Sequence, residues 1–337
     1  MRSIRVAAEP DGTALLRVRE LGVRFPAGAA VSEVSFDLGR HECLGIVGES
    51  GSGKSQLLLS LLGLTPRAAE IRGSVRLQGL ELVGAAAARL SAVRGRRIAL
   101  VFQDSLSALN PYRSVGAQLI EGARRHLSLS RTAAVLRARN LLESLHIDAA
   151  PERLRQYPHE LSGGLRQRVM IAMALMCEPE ILLLDEPTTA LDATVQAQLL
   201  ELLRELRART GIASILVSHD LAALATVADR VAVMYAGRMV ELAPVAQLYA
   251  APRHPYTAGL LRSMPRLDAP LTARLPSIPG QPPVLGSISG GCAFAPRCVL
   301  VHERCRAVPQ PRWVAAQTAW VACHDQRASH LIQEAWT

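Results

Sequence analysis

One glycine-rich segment, at residues 48–55, constrains the fold of this chain more than any other feature. It matches the pattern G-x-x-x-x-G-K-[ST] at every fixed position. The segment consists of Gly48, Glu49, Ser50, Gly51, Ser52, Gly53, Lys54 and Ser55. The apolar run 43–47 before it predicts a buried strand, and residues 55–64 after it have helical length. Because such a loop turns backbone N–H groups toward an anion at a helix N-terminus, we expect a nucleotide phosphate site.

Two side chains of this segment carry the expected chemistry. The Lys54 ammonium should reach the β- and γ-phosphates, and the Ser55 hydroxyl should ligate Mg²⁺. Lys54 is also the single lysine of the chain, since the other 37 of its 38 basic residues are arginine. The net charge of +9 permits nucleic acid or an anionic membrane surface as a partner, with an ordinary solvated surface as the alternative.

Length and hydropathy limit the class of protein. A chain of 337 residues can form one large or two ordinary domains around a substantial core. No apolar run reaches the roughly 18 residues needed to cross a bilayer. The first ten residues lack the apolar centre of a secretory signal. We therefore expect a soluble, cytoplasmic protein.

Short apolar runs alternate with stretches of helical periodicity along most of the chain. Strands are expected within 15–40 and at 43–47, 75–77, 98–102, 181–184, 212–217 and 231–235, and helices at 55–64, 164–176 and 195–210. This alternation predicts an α/β fold with a mainly parallel central sheet. The periodicity becomes helical between residues 110 and 160, which predicts an inserted helical subdomain at about 104–165.

Two adjacent carboxylates, Asp185 and Glu186, follow the apolar run 181–184. The carboxyl end of a buried strand is where an open α/β sheet places its ligand site. We expect Asp185 to hold Mg²⁺ through water. Glu186 is expected to orient and deprotonate an attacking water molecule.

The segment Leu161-Ser-Gly-Gly-Leu-Arg-Gln-Arg168 resembles the signature motif of ABC ATPases. The resemblance implies ATP hydrolysis with Mg²⁺, and an α/β P-loop domain with a mixed sheet core and a helical subdomain. It also implies that Ser162, Gly163 and Gly164 act on the ATP held by the phosphate loop of a second ATPase subunit.

Four further positions match elements of the same family in the expected order. Gln103 resembles the Q-loop glutamine, which touches the attacking water or Mg²⁺, and Asp192 lies in a segment that resembles the D-loop. His219 resembles the switch histidine that contacts the γ-phosphate. Phe25 occupies the place of the family's adenine-stacking aromatic residue, with ordinary core packing as the alternative.

The C-terminal part of the chain narrows the resemblance further. Segments 252–265, 278–280 and 291–298, together with 102–111 and Gln56, resemble the D-type ATPase subunit of oligopeptide/dipeptide permeases. Ser105 departs from this pattern, because a proline is common there. We therefore expect an ATPase domain at 14–250 and a small, irregular, cysteine-containing domain at 251–337.

The resemblance implies the protein's partners and location. These are an F-type ATPase subunit, two membrane permease subunits and an extracytoplasmic peptide-binding protein, at the cytoplasmic face of the inner membrane. A nickel or other small-solute importer of the same family is an alternative. A soluble ABC ATPase acting on nucleic acid is more remote, because the chain has one phosphate loop and one signature. An exporter ATPase is disfavoured by the permease-like tail.

Six cysteines divide into two kinds. Cys43 and Cys177 lie in apolar stretches and are expected in the core. The other four, Cys292, Cys298, Cys305 and Cys323, cluster in the tail with the spacing C-x5-C-x6-C-x17-C. Some members of the resembled family carry a [4Fe-4S] cluster here, which four thiolates can hold. Zinc, with His302 or His324 as further ligands, and unligated thiols are the alternatives.

Overall fold

The structure is a computed structural model, and it describes residues 14–104, 108–189, 191–264, 277–287, 290–314 and 318–325. In chain order the strands are β1 (Ala14–Phe25), β2 (Gly28–Gly39), β3 (Cys43–Val47), β4 (Glu70–Leu77), β5 (Leu80–Glu81), β6 (Ile98–Val101), β7 (Ile181–Asp185), β8 (Ala213–Ser218), β9 (Arg230–Tyr235), β10 (Arg238–Pro244), β11 (Arg312–Val314) and β12 (Ala319–Val321). The helices are α1 (Lys54–Leu61), α2 (Ala87–Val93), α3 (Val115–Leu127), α4 (Arg131–Ser144), α5 (Ala150–Arg153), α6 (Gly163–Leu175), α7 (Ala193–Thr210), α8 (Leu221–Val227), α9 (Val245–Ala250) and α10 (Pro255–Arg262).

These elements divide into two compact units. The first unit consists of the described residues in 14–39, 43–83 and 218–325. The second consists of those in 40–42 and 84–217. The predicted domain boundary at residue 250 stays a prediction. Among the helices that the structure describes, none has the length and apolarity that crossing a bilayer requires.

The first unit contains an antiparallel sheet in the order β2-β1-β4-β5. Strand β1 pairs with both β2 and β4, and its buried residues include Leu16, Val18 and Val23. Leu16 and Val18 alternate before a register shift and Leu21 and Val23 alternate after it, as expected of a strand with one face on a core. The strand–turn–strand structure predicted for residues 15–40 is confirmed.

A second set of strands in the first unit runs β11-β12-β10-β9-β3. Strand β3 is parallel to β9, whereas β9, β10, β12 and β11 pair antiparallel in succession. The set is therefore mixed rather than mainly parallel. Strands β11 and β12 were not expected, because the tail has little apolar periodicity and each strand has only three residues.

The second unit contains the parallel strands β6, β7 and β8, with β7 between the other two. Every residue of β7 is buried, including the terminal Asp185, in agreement with the apolar run at 181–184. Helices α3, α4 and α6 pack on one another, so the helical character predicted for residues 110–160 is confirmed. The serines before α3 and α4 cap those helices through their side chains.

Helix α10 is fixed to strand β10 by a buried polar cluster. The Glu241 carboxylate accepts the backbone N–H groups of Arg253 at 2.8 Å and of His254 at 2.9 Å. The His254 ring nitrogen Nδ1 in turn accepts the N–H of Tyr256 at 3.1 Å and so caps the helix. Burial lowers the pKa of His254 from 6.5 to about 3, and burial raises the pKa of Glu241.

These shifts predict acid sensitivity of the first unit. Between pH 6.5 and 3, the unfolded chain protonates His254 while the buried imidazole stays neutral, so the free energy of unfolding falls as pH drops. The slope for one histidine is at most about 1.4 kcal/mol per pH unit. Glu241 acts in the opposite direction, because its folded pKa is raised.

The substitution His254→Asn should isolate the histidine, since the asparagine oxygen can still cap α10 and Glu241 is present in both proteins. From pH 6.5 to pH 5, urea unfolding should show that the wild type loses about 2 kcal/mol more stability than the variant. Equal losses in the two proteins would contradict the assignment.

Candidate active site

The predicted phosphate loop lies in the first unit between β3 and α1, as the sequence indicates. Lys54 is buried, and its ammonium donates hydrogen bonds to the carbonyl oxygens of Gly48 at 2.8 Å and Glu49 at 3.1 Å. The Ser52 N–H also donates to the Glu49 carbonyl, at 3.1 Å. The loop therefore curls around its own lysine, with residue 49 as the shared acceptor.

Neighbouring backbone encloses this loop. The Gly237 N–H, in the turn between β9 and β10, donates to the Ser52 carbonyl at 3.0 Å. Gly53, with a φ of 100°, lies so close to β2 that a Cβ atom there would overlap the carbonyl oxygen of Ala30. A side chain at position 53 would therefore collide with the backbone of β2.

The C-terminal region also contacts the loop, through residues that the sequence did not single out. Arg297 donates to both carboxylate oxygens of Glu49, at 2.7 and 3.0 Å, and the Tyr256 hydroxyl accepts the Glu49 N–H at 2.9 Å. Neither residue belongs to a nucleotide-binding motif. The only available signal was their position in tail segments that resemble the permease family.

Two other predicted residues belong to the first unit. His219 is exposed directly after β8, and the following helix is capped by Asp220, whose carboxylate accepts the Ala222 N–H at 2.8 Å. Phe25 ends β1 and is half-buried, opposite Gly28. Its roles in stacking and in core packing both stay predictions.

In the second unit, the end of β7 brings three groups together. Glu186 accepts hydrogen bonds from the Gln103 amide at 3.1 Å and from the Thr189 hydroxyl at 3.0 Å. Glu186 has a φ of 44°, a left-handed backbone conformation that is costly for a residue with a side chain and clusters at functional sites. Asp185, the residue before it, is buried. The sequence predicted Gln103 and Glu186 and missed Thr189.

The predicted signature lies at the start of α6 in the same unit. The Ser162 hydroxyl caps the helix by accepting the Leu165 N–H at 3.3 Å, and Ser162 is exposed. Gly164 packs against α7, where a Cβ atom would lie 2.8 Å from a Val195 methyl group. Asp192 caps α7 by accepting the Val195 N–H at 3.0 Å. Ala190 lies outside the described residues.

The predicted site residues are therefore divided between the units. The first unit holds Phe25, the loop residues Gly48, Glu49, Ser50, Gly51, Ser52, Gly53, Lys54 and Ser55, and His219; the second holds Gln103, Ser162, Gly163, Gly164, Asp185, Glu186 and Asp192. Most of these residues occupy loops or helix starts, whereas Phe25 and Asp185 are the last residues of β1 and β7.

The four tail cysteines line one small cavity, together with three histidines and mainly apolar neighbours. Burial raises the pKa of Cys298 to about 12 and that of Cys323 to about 11, and the neighbouring thiols add to both shifts. In the described ranges, no three His, Cys, Asp or Glu side chains are arranged around a single metal ion. Cys43 and Cys177 are buried, as predicted.

Comparisons with known proteins identify two families that match this chain. Residues 31–189 match the family described as "ABC transporter", and residues 240–305 match "Oligopeptide/dipeptide transporter, C-terminal region". The oligopeptide transport ATP-binding protein OppD of Haemophilus influenzae is 45% identical over 300 residues, which cover 88% of this chain and 93% of that protein. The protein of the same name from Escherichia coli is 45% identical over 306 residues, covering 90% of each chain.

Solved structures resemble this chain as well. The structure of cbiO1 from Clostridium perfringens, part of the ABC transporter complex cbiONQ, has a TM-score of 0.62 and 28% identity, and the match covers 71% of this chain and 92% of that one. The dimeric ABC transporter cassette MJ0796 has a TM-score of 0.61 at 24% identity, covering 68% of this chain and 98% of that one, which supports the fold alone.

The glycine contacts predict a difference between two loop substitutions. Gly51 and Gly53 both have positive φ, but at Gly51 a Cβ atom would meet no described heavy atom within 4 Å. Gly53→Ala should weaken ATP binding about 30-fold, or roughly 2 kcal/mol, because the loop must move away from Ala30. Gly51→Ala should weaken it only about threefold through backbone strain. Calorimetric titration of the full chain measures both, and equal losses would argue against the contact with Ala30.

Proposed function

Because the chain belongs to the ATP-binding proteins of ABC transporters, we propose that it couples ATP hydrolysis to the uptake of di- and oligopeptides across the cytoplasmic membrane. The observation that carries this proposal is the combination, in one chain, of an ABC ATPase segment and an oligopeptide/dipeptide-type C-terminal region. The protein is a transport ATPase, and membrane permeases are its partners. The nature of the cargo is the proposed part.

The phosphate loop suits a triphosphate. The Lys54 ammonium is held among loop carbonyl groups, close to where phosphate oxygens would lie. The buried Ser52 hydroxyl has no hydrogen-bond partner among the described residues, so it remains available to an anion. Mg²⁺, when bound, would neutralise phosphate charge. We assign its protein contacts to Ser55, Asp185 and Gln103.

Glu186 is proposed as the general base. The Gln103 amide and the Thr189 hydroxyl both donate to its carboxylate. These hydrogen bonds fix the orientation of the carboxylate that would accept a proton from the attacking water. Gln103 is proposed to contact that water as well. His219, exposed at the end of β8, is assigned to the γ-phosphate. Phe25 is assigned to the adenine ring.

The signature is proposed to serve a second subunit. Ser162 and Gly163 open α6 at the protein surface, and a helix N-terminus is favourable for an anion. With Gly164 and Asp192, they would complete the site of a partner's ATP, so the chain alone should hydrolyse ATP poorly. We propose an F-type ATPase as this partner, together with two permease subunits and an extracytoplasmic peptide-binding protein. The complex would place the chain at the cytoplasmic face of the inner membrane.

The substitution Glu186→Gln in the reconstituted complex tests this proposal. The variant should bind ATP normally yet lose about two to four decades of hydrolysis, because a general base is removed while the shape of the side chain is kept. ATP-driven uptake of a labelled tripeptide into vesicles should fall with it.

A matched control is Glu178→Gln, which changes an exposed glutamate of the same unit with a similar φ of 50°. It should hydrolyse ATP and transport like the wild type. Undiminished turnover in Glu186→Gln would remove Glu186 from the role of base. Uptake of nickel in place of peptides by the wild-type complex would overturn the proposed cargo.

We also propose that Cys292, Cys298, Cys305 and Cys323 hold a [4Fe-4S] cluster. Support comes from their convergence on one cavity and from spacing that differs from the C-x2-C zinc pattern. The raised pKa values of the thiols mean that a cation would be needed to keep them ionised near neutral pH. Such a cluster would supply a cross-link between separate tail segments.

Anaerobic purification tests the cluster. The chain should carry about four irons and as many sulfides, with broad visible absorption, and Cys298→Ser should lose most of the iron. Cys177→Ser is the matched control, because Cys177 lies in the core of the second unit. A protein with neither iron nor visible absorption would exclude the cluster, and stoichiometric zinc would favour the alternative.

A further inference from the structure

Glu49 is the residue of the phosphate loop whose side chain the C-terminal region holds. Arg297 is buried and donates to both Glu49 carboxylate oxygens, at 2.7 and 3.0 Å. Its third nitrogen, Nε, donates to the Pro279 carbonyl at 2.8 Å, and the guanidinium lies over the Tyr235 ring, 5.8 Å from the ring centre. The hydrogen bond to Glu49 raises the pKa of Arg297. The guanidinium is therefore fixed on several sides and holds the carboxylate in one place.

The backbone of Glu49 is fixed by the same region. Its N–H donates to the Tyr256 hydroxyl at 2.9 Å. The Tyr256 ring is fully buried and packs against Tyr235 and Phe294, with ring centres 4.7 and 5.4 Å away. The aromatic cluster thus places the hydroxyl that receives this N–H.

Residue 49 transmits this restraint to the phosphate-binding lysine. The Glu49 carbonyl oxygen accepts both the Ser52 N–H and the Lys54 ammonium. A shift of residue 49 would therefore displace the acceptor that orients Lys54. It would also leave a carboxylate without its countercharge beside the place of a triphosphate.

We propose that Arg297 and Tyr256 are positioning residues for ATP, which act through Glu49 to keep the phosphate loop in its binding shape. The inference rests on the proposed function only in taking this loop as the ATP site. A loop already held in the bound conformation loses less freedom on binding and so binds more tightly. The C-terminal region is then a part of the nucleotide site, although it contributes no nucleotide-binding motif.

The restraint acts on the affinity for ATP more than on the chemical step. Neither residue belongs to the group formed by Gln103, Glu186 and Thr189. A loss of the restraint should therefore raise the KM and the Kd for ATP, while kcat at saturating ATP changes little. A substitution that merely damaged the fold would lower the active fraction and hence kcat instead.

Four variants of the full chain test the proposal by calorimetric ATP titration. Arg297→Met should raise the Kd about tenfold. Arg297→Lys should recover part of the loss, since an ammonium cannot pair with both carboxylate oxygens in a planar fork. Tyr256→Phe removes only the hydroxyl and should raise the Kd about threefold. Arg306→Met, an exposed arginine of the same region, should bind like the wild type.

The single lysine of the chain provides a structural readout. Labelling with ¹³Cε-lysine gives one side-chain NMR signal, that of Lys54. Arg297→Met and Tyr256→Phe should shift or broaden this signal without ATP, whereas Arg306→Met should not. In the reconstituted complex, the first two variants should raise the KM for ATP in the same order as the Kd, with kcat within about twofold.

A double substitution shows whether Arg297 acts through Glu49. If it does, Glu49→Gln with Arg297→Met should bind ATP no more weakly than the more affected single variant, because both remove one contact. Fully additive losses would overturn the proposal. An unchanged Kd for ATP in Arg297→Met would also overturn the proposal. If Arg297→Met does not fold, an unchanged Kd together with an unchanged Lys54 signal in Tyr256→Phe would overturn it.

A separate variant distinguishes a wrong ATP site from a wrong role of the C-terminal region. Lys54→Ala should abolish ATP binding, and retained binding there would show that the loop is not the ATP site. If Lys54→Ala loses binding while Arg297→Met and Tyr256→Phe keep it, only the inference about the C-terminal region falls.

Discussion

A phosphate loop binds an anion with its backbone N–H groups, so the loop must keep its open shape when no anion is bound. Lys54 supports this shape from inside, and the surrounding structure supports it from outside. Strand β2 approaches Gly53, the turn at Gly237 bonds to Ser52, and the C-terminal region holds Glu49. The strands that bring these groups to the loop also form the core of the first unit. The packing of that core and the shape of the loop therefore depend on each other.

The sequence predicted those parts of the site that are local. The loop, the carboxylates at the end of β7 and the capped start of α6 each occupy one short segment whose residue types serve one purpose. Family resemblance placed Gln103 at the attacking water or Mg²⁺, whereas Thr189 carries no pattern of its own. The bond between Glu49 and Arg297 joins residues 248 positions apart, and periodicity contains no information about such pairs. Strands β11 and β12 were missed because three residues are too few to display alternation.

Two side chains predicted to serve the nucleotide also serve as helix caps. Ser162 and Asp192 each accept the backbone N–H three residues ahead, which satisfies one of the donors left open at a helix start. The other N–H groups of a first helical turn have no partner within the helix, so an anion is favourable there. Capping and anion binding are therefore compatible, because the cap occupies one donor and fixes the direction of the others. A segment of one serine and two glycines is therefore suited to the start of a helix, where the serine caps the helix and the glycines leave room for an anion.

The choice of basic residues around the loop follows from their geometry. The chain uses its one lysine inside the loop, where the compact ammonium donates to the carbonyl oxygens of Gly48 and Glu49. It uses an arginine at position 297, where a planar fork can hold both oxygens of Glu49 and remain charged when buried. A carboxylate beside a triphosphate would oppose binding if it were alone. Paired with Arg297, it becomes the point at which the C-terminal region holds the loop, so the tail acts on the affinity for ATP through a residue that need not contact the nucleotide.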